Sequence, residues 1–229
     1  PLIEYLFERL RSSKLIDKII LATSDEPDND ALSGYVEGMG FDVFRGSEAD
    51  VLERFYLAAK PYNPDHIVRI TGDCPLIDPN ICDRLFQAFL DQRVDYAELS
   101  PDFAEGADCE IFTFKALEEA YYNAVMKSER EHVTLYINQH DQFHKFFLSN
   151  ETDDAHYRYT VDEQEDLDVV KAIIQALYQD KNELFTYQEI KHFLDSNSEI
   201  MNHNAHIIRN EGLGISLRND DVVKGKVNE

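Results

Sequence analysis

The chain has 229 residues, with 22 basic against 45 acidic side chains, a formal net charge of −23 at pH 7. That balance argues against nucleic-acid backbones and anionic membranes as partners, because both are bound through basic patches. A hydrophobic fraction of 43% suits a globular α/β domain with a sizeable core, and no apolar run approaches the roughly 18 residues of a membrane span.

Pro1 leads into a predicted amphipathic helix, with Leu2, Ile3, Leu6, Phe7 and Leu10 at helical spacing and Glu4, Glu8 and Arg9 between them. Residues 18–23 read as a buried strand ending in the loop Ser24-Asp25-Glu26-Pro27. A helix over 30–39, a short strand over 41–44 and a helix over 50–60 follow. The apolar run 67–70 is a further buried strand. It stops on Gly72-Asp73 and restarts as a helix to about residue 92, with Asp78 as N-cap and Pro79 at its first position. This alternation predicts a mostly parallel sheet with right-handed crossovers.

Past Val94 the pattern changes. Strands are expected over 95–99, 109–114, 143–148 and 158–161, with a loop over 101–107 and helices over 117–125 and 128–140. Asp162, Glu163, Glu165 and Asp166 then open a long helix to about residue 178, where their charge complements the helix dipole. Thr186 caps a helix over 187–194. After Met201 the chain is polar and aperiodic, and its last ten residues are expected to be mobile.

Two carboxylates follow strands and precede helices. Asp73 sits at the carboxyl end of a strand, where open α/β sheets hold ligands. It can hold a cation such as Mg²⁺ beside a polyphosphate, or it can be a turn Asp bonded to its own loop. Asp162 occupies the same kind of crevice and can equally be a helix cap. The three cysteines lack CxxC spacing, and no secretory leader is recognisable, so reduced thiols in the cytoplasm are expected. Cys74 is read as a small buried residue and not a nucleophile. The pairs His140/His144 and His203/His206 lack a third ligand and are read as solvated.

The run Arg69-Ile70-Thr71-Gly72-Asp73-Cys74-Pro75-Leu76-Ile77 resembles the central motif of bacterial sugar-acid cytidylyltransferases. The similarity is to the spore-coat polysaccharide branch, akin to acylneuraminate and 3-deoxy-manno-octulosonate cytidylyltransferases. Ala22-Thr23-Ser24, Phe44-Arg45-Gly46-Ser47, Asp50-Val51-Leu52-Glu53-Arg54-Phe55, Arg130-Glu131-His132-Val133-Thr134, Tyr159-Thr160-Val161-Asp162 and Arg209-Asn210-Glu211-Gly212 occur in that family's order. The resemblance implies a Rossmann-like, GT-A-like nucleotidyltransferase fold, a mixed sheet flanked by helices. It implies a domain over 1–195, with a dimerisation and sugar-side insertion about 96–160, and a C-terminal extension over 196–229.

The implied chemistry is attack by a sugar or sugar-acid hydroxyl on the α-phosphate of CTP, expelling pyrophosphate. By resemblance, Asp73 and Asp162 would hold Mg²⁺ and act at the reacting centre. Thr71 and Gly72 would adjoin the substrates, and Arg45, Gly46, Ser47 and Arg54 would approach nucleotide or sugar. Arg54 reads equally as a solvated helix residue. Asp108 and Glu110 are candidates for the sugar or metal site, and Arg130 and His132 for the sugar-side wall. A homodimer is implied, with Tyr121, Tyr122, Phe143, Phe146 and Phe147 near its interface.

One departure stands out. Relatives begin with a strand and a loop rich in Gly, Ser, Arg and Lys that cradles the CTP phosphates, and this sequence starts after both. The expectation is an N-terminally incomplete chain whose sheet lacks the strand between those at 18–23 and 67–71. Two other readings stay open: a metal-dependent glycosyltransferase using an activated nucleotide sugar, and a non-catalytic sugar-binding or scaffolding remnant.

Overall fold

The computed structural model describes residues 1–178 and 184–223. Helix α1 (Leu2–Leu10) buries Leu6, Phe7 and Leu10 along the predicted stripe. Arg9, which the pattern places among polar residues, is only 2% exposed. Its Nε and Nη2 donate to the carbonyls of Ile77 and Phe185, each at 2.6 Å. Its guanidinium lies 4.4 Å above the Phe185 ring. A planar fork can enter a core when backbone oxygens meet its donors.

Strands β1 (Ile20–Ser24) and β2 (Asp42–Gly46) pair in parallel, joined by a 3-10 turn over Pro27–Asn29 and helix α2 (Asp30–Gly38). Asp50 caps α3 (Val51–Ala59) by accepting from Glu53 N at 2.9 Å. Strand β3 (His66–Arg69) leads through the Asp73 loop into α4 (Pro79–Gln92), which opens on Asp78 and Pro79 as predicted. The Asp78 carboxylate also accepts from Tyr187 N at 2.8 Å, tying α4 to a segment 109 residues later.

Strands β4 (Tyr96–Leu99), β5 (Glu110–Thr113) and β6 (Lys145–Leu148) complete a four-stranded sheet in the order β3-β5-β4-β6. The sheet is mixed: β5 runs antiparallel to β3 and β4, while β4 and β6 are parallel. The expectation of mostly parallel pairing fails at β5, because the chain returns from β4 through an irregular loop and not a crossover helix. β1 and β2 form a separate sheet, and no ladder joins β1 to β3 among the described residues.

Helices α5 (Phe114–Asn123), α6 (Lys127–Glu131) and α7 (Leu135–Gln139) follow β5, and α8 (Gln164–Leu177) and α9 (Tyr187–Ser196) follow β6. Alternate strand residues divide the interior. Tyr96 and Phe112 pack with Leu52, Leu117 and Ile137, whereas Ala97 and Ile111 pack with Leu85, Val169 and Ile190. Two helical layers therefore enclose the larger sheet.

Several boundaries differ from the sequence reading. The single helix expected over 128–140 is broken into α6 and α7 at Val133, a buried residue with φ 42°. The strand expected over 158–161 is an irregular segment with one isolated bridge, between Arg158 and Glu105. Its backbone donors are used elsewhere: Tyr159 N donates to Glu105 O and Val161 N to Asp73 O. A short helix α10 (Ser198–Met201) ends where the aperiodic tail was expected to start, and the tail itself is not aperiodic, since α11 (Glu211–Arg218) forms within it. Of the last ten residues, 220–223 pack against 125–128, and 224–229 lie outside the described residues.

Candidate active site

Three loops converge beyond β3. The Asp73 carbonyl accepts from Val161 N at 2.9 Å and from Thr160 Oγ1 at 3.2 Å, which brings the Asp73 and Asp162 loops together. The loop between β4 and β5 closes in through Gly106, at φ +109°. A Cβ there would lie 2.6 Å from Tyr159 Cδ2, so this approach requires glycine.

The loops border a cavity of about 670 Å³, a size suited to a small-molecule site. Asp73, Asp162, Thr71, Asp108, Glu110 and His132 all line it, half of the twelve residues expected at the site. Asp73 Oδ1 is buried and has no hydrogen-bond partner. An ionised oxygen left this way is costly unless something positive meets it. His132 Nε2 is likewise buried without a hydrogen bond, and burial holds its imidazole toward the neutral form.

Asp162 does not cap α8. It precedes the helix, and its Oδ2 accepts from Arg158 Nη2 at 2.8 Å. Arg158, only 7% exposed, also donates to Glu105 at 2.5 Å and through Nε and Nη2 to both oxygens of Asp166 at 2.8 Å. Asp166 is fully buried. Burial would raise its pKa, but Arg158, Asn204 and the backbone N–H groups of Asp162 and Glu163 push it down to about 2. Arg158 therefore fixes the approach of Asp162, and sequence reasoning passed over it. The available signal was an Arg in a Tyr- and Thr-rich run directly ahead of four carboxylates.

The cavity floor is a polar network on the larger sheet. Arg69 pairs with Glu110, which also accepts from Thr134 Oγ1 at 2.6 Å. The Tyr96 hydroxyl lies 2.6 Å from Glu98 and 2.6 Å from Glu110, and it accepts from Asn138 Nδ2 at 3.1 Å. One phenol has a single proton, so it cannot donate to both carboxylates. Burial pushes Glu98 up, whereas Glu110, though more buried, is held down by Arg69 and its hydroxyl donors. Of the two, Glu98 is therefore the one pushed toward holding a proton. Glu110→Gln should cost on the order of 3 kcal/mol by stranding Arg69. Glu98→Gln should cost less than about 1 kcal/mol, because its side chain bonds the Tyr96 hydroxyl and no ion pair is broken. Paired urea titrations at neutral pH read the difference, and equal losses would show that the Arg69–Glu110 pair adds nothing to stability.

The other six expected residues are not on this cavity. Arg130 is buried and its donors are used internally: Nε and Nη2 fork onto Asp50 at 2.8 and 2.7 Å, and Nη1 reaches Tyr121 O. The side chain expected on the substrate wall thus forms an ion pair that joins α6 to the start of α3. Gly72 is an exposed turn residue beside the cavity. Arg45, Gly46, Ser47 and Arg54 gather at the end of β2. Arg45 bonds Asp30, Ser24 O and Glu26 O, and Arg54 Nη1 donates to Ser47 O at 2.9 Å. Arg54 is not the solvated helix residue that its position also allowed, since its Nε is buried without a partner.

All three thiols are buried and free, and burial pushes Cys74 well above the ordinary thiol range, as its reading as a packing residue requires. No helix among the described residues is long and apolar enough to cross a membrane.

A family profile described as "Cytidylyltransferase" matches residues 1–209. A protein of Methanocaldococcus jannaschii described as uncharacterized is 37% identical over 214 residues, 90% of this chain and 84% of that protein. The spore coat polysaccharide biosynthesis protein SpsF of Bacillus subtilis is 35% identical over 189 residues, 76% of this chain and 75% of its own length. A solved cytidylyltransferase structure from Leptospira borgpetersenii superposes with a TM-score of 0.83 at 35% identity, covering 91% of this chain and 88% of that one.

Proposed function

The chain belongs to the cytidylyltransferase family, a family of nucleotidyltransferases, and on that premise we propose that it transfers CMP from CTP to a sugar or sugar acid of a surface polysaccharide pathway. The observation that carries this reading is the unpartnered, buried Asp73 oxygen beside Asp162 on a cavity of ligand size. In the reaction a sugar hydroxyl oxygen bonds to the α-phosphorus, the bond to the β-phosphate breaks, and pyrophosphate departs with that electron pair. The hydroxyl proton is lost to solvent.

The residues present fit a divalent cation of the Mg²⁺ type. No cluster of three or more His, Cys, Asp or Glu able to hold a metal occurs among the described residues. Mg²⁺, however, usually takes only one or two carboxylates and completes its shell with phosphates and water. Asp73 and Asp162 would hold it, and it would supply neutralisation of the phosphate charge. Arg158 orients Asp162 for that task. Neutral His132 offers a ring nitrogen to a sugar hydroxyl, and Asp108 and Glu110 lie within the same cavity. The Arg45-Gly46-Ser47 turn and Arg54 are assigned to the nucleotide side.

The test is pyrophosphate release from CTP and Mg²⁺ across a panel of sugars and sugar acids. Release of a nucleoside diphosphate from a nucleotide sugar instead would assign glycosyl transfer and overturn the reading. Assembly as a homodimer through residues 96–160 belongs to the same proposal. Within that segment Tyr122 and Phe147 are 65% and 48% exposed, whereas Phe143 is buried in the core and offers nothing to a partner. Light scattering at high concentration should give twice the chain mass, and a monomer mass would remove the dimer.

A further inference from the structure

The family match ends at residue 209, yet the chain beyond it stays on the cavity. Arg209 anchors the near end: Nη1 donates to the carbonyls of Pro101 and Phe103 at 2.9 Å, and Nη2 to Asp108 at 3.2 Å. A second anchor closes the far end. Ser128 donates from N and Oγ to Asp220 at 3.0 and 2.5 Å, and Lys127 N donates to Asp221 O at 2.8 Å. Between the anchors, Ser216 Oγ donates to Glu131 at 2.9 Å.

The segment held this way is α11, and none of its residues is buried. Its apolar side chains Leu213 and Ile215 line the cavity, as do Ile207 and Ile208 just ahead of it. Ile208 is 66% exposed and Ile215 46%. A helix tied by polar contacts at both ends, with its apolar residues on an open cavity, lacks the cover such residues usually find.

The charge of the cavity indicates which reactant this wall meets. Eight carboxylates line it against three Arg, and each of those Arg is ion-paired within the chain. Such a lining repels a triphosphate away from the cation site, whereas sugar hydroxyls donate readily to carboxylates.

We propose that residues 207–218 form the acceptor wall and select for a polyhydroxylated sugar bearing an apolar substituent, a methyl or an acyl group. The hydroxyls meet carboxylates such as Asp108 and Glu211, and the substituent packs on Leu213 and Ile215. The assignment rests on the nucleotidyl transfer proposed above, and it places acceptor selection in a segment most of which follows residue 209, where the family profile match ends.

Two measurements on the full chain test it. The first is steady-state pyrophosphate release with CTP, Mg²⁺ and unsubstituted hexoses, 6-deoxyhexoses, N-acetylhexosamines and 2-keto sugar acids. The double variant Leu213→Ser, Ile215→Ser should raise KM for the best acceptor by about tenfold or more, the scale of losing apolar pocket contacts. KM for CTP should stay within about twofold, and the preference for substituted over unsubstituted sugars should shrink. An unchanged acceptor KM, or a rise confined to CTP, would overturn the wall. The second measurement does not depend on turnover. The chain has no tryptophan, so Ile215→Trp places a single tryptophan, excited selectively over the tyrosines at the long-wavelength edge of indole absorption, on the cavity. Titration with the same sugars should shift its emission, most for the substituted ones. If no sugar is turned over, the transfer reading fails while this titration still judges the wall. If no sugar moves the emission, the wall is refuted.

Discussion

Asp73→Asn is expected to cut CTP- and Mg²⁺-dependent turnover by about 100-fold or more, the scale of losing an electrostatic transition-state contact. Thermal stability should hardly change. The substitution keeps the shape of the side chain and removes charge from an oxygen that is buried without a partner, so the fold loses no compensated interaction. Asp162→Asn should lower turnover as well, but with a loss of stability, because Arg158 donates to that carboxylate. Turnover near wild type in Asp73→Asn would remove the metal assignment. A fall in stability matching the fall in activity would make Asp73 a structural turn residue. The combination of lost turnover and retained melting is what separates the two roles.

Arg158→Met should be the most damaging single change to the fold, costing about 3–5 kcal/mol. The loss is large against a typical total of about 5–15 kcal/mol. The guanidinium faces three carboxylates, Glu105, Asp162 and Asp166, and Asp166 is completely buried. Without it, like charges crowd together in a chain that already carries a net charge of −23. Arg158→Lys should be intermediate, since an ammonium keeps the charge but cannot fork onto Asp166 while reaching Glu105. Chemical unfolding monitored by circular dichroism gives the order. A loss below about 1 kcal/mol in Arg158→Met would show that the cluster is solvated and not a core pin.

The same cluster shows where reading along the chain stopped being sufficient. Asp162 was legible because a strand-like run ahead of it and a helical pattern after it mark a crevice. The helix begins at Gln164, however, and Asp162 and Glu163 just ahead of it donate their backbone N–H groups to Asp166. Arg158 read as one residue of a strand, since nothing local says that its side chain joins Asp162 and Asp166 to Glu105, on a loop about fifty residues earlier. Arg130 shows the reverse case. Its neighbours carry a recognisable motif, but its own side chain is used to hold α3 against α6.

Local chemistry determined a good deal by itself. The Asp78-Pro79 opening of α4, the Thr186 cap and the stripe on α1 all follow from nearest-neighbour rules, so they read correctly from sequence. The motif around Asp73 and its order with the others determined the family. Tertiary structure alone decided the direction of β5, because pairing depends on the path of the loop before it and not on the strand's own residues. It also decided that the Tyr96 hydroxyl comes within hydrogen-bond reach of both Glu98 and Glu110. And it decided that the polar tail returns as a helix on the cavity, since the contacts holding it, Arg209 with Asp108 and Asp220 with Ser128, span 101 and 92 residues. Periodicity reports what a segment does to its neighbours in sequence; such long-range closures carry no period and appear only when the chain is folded.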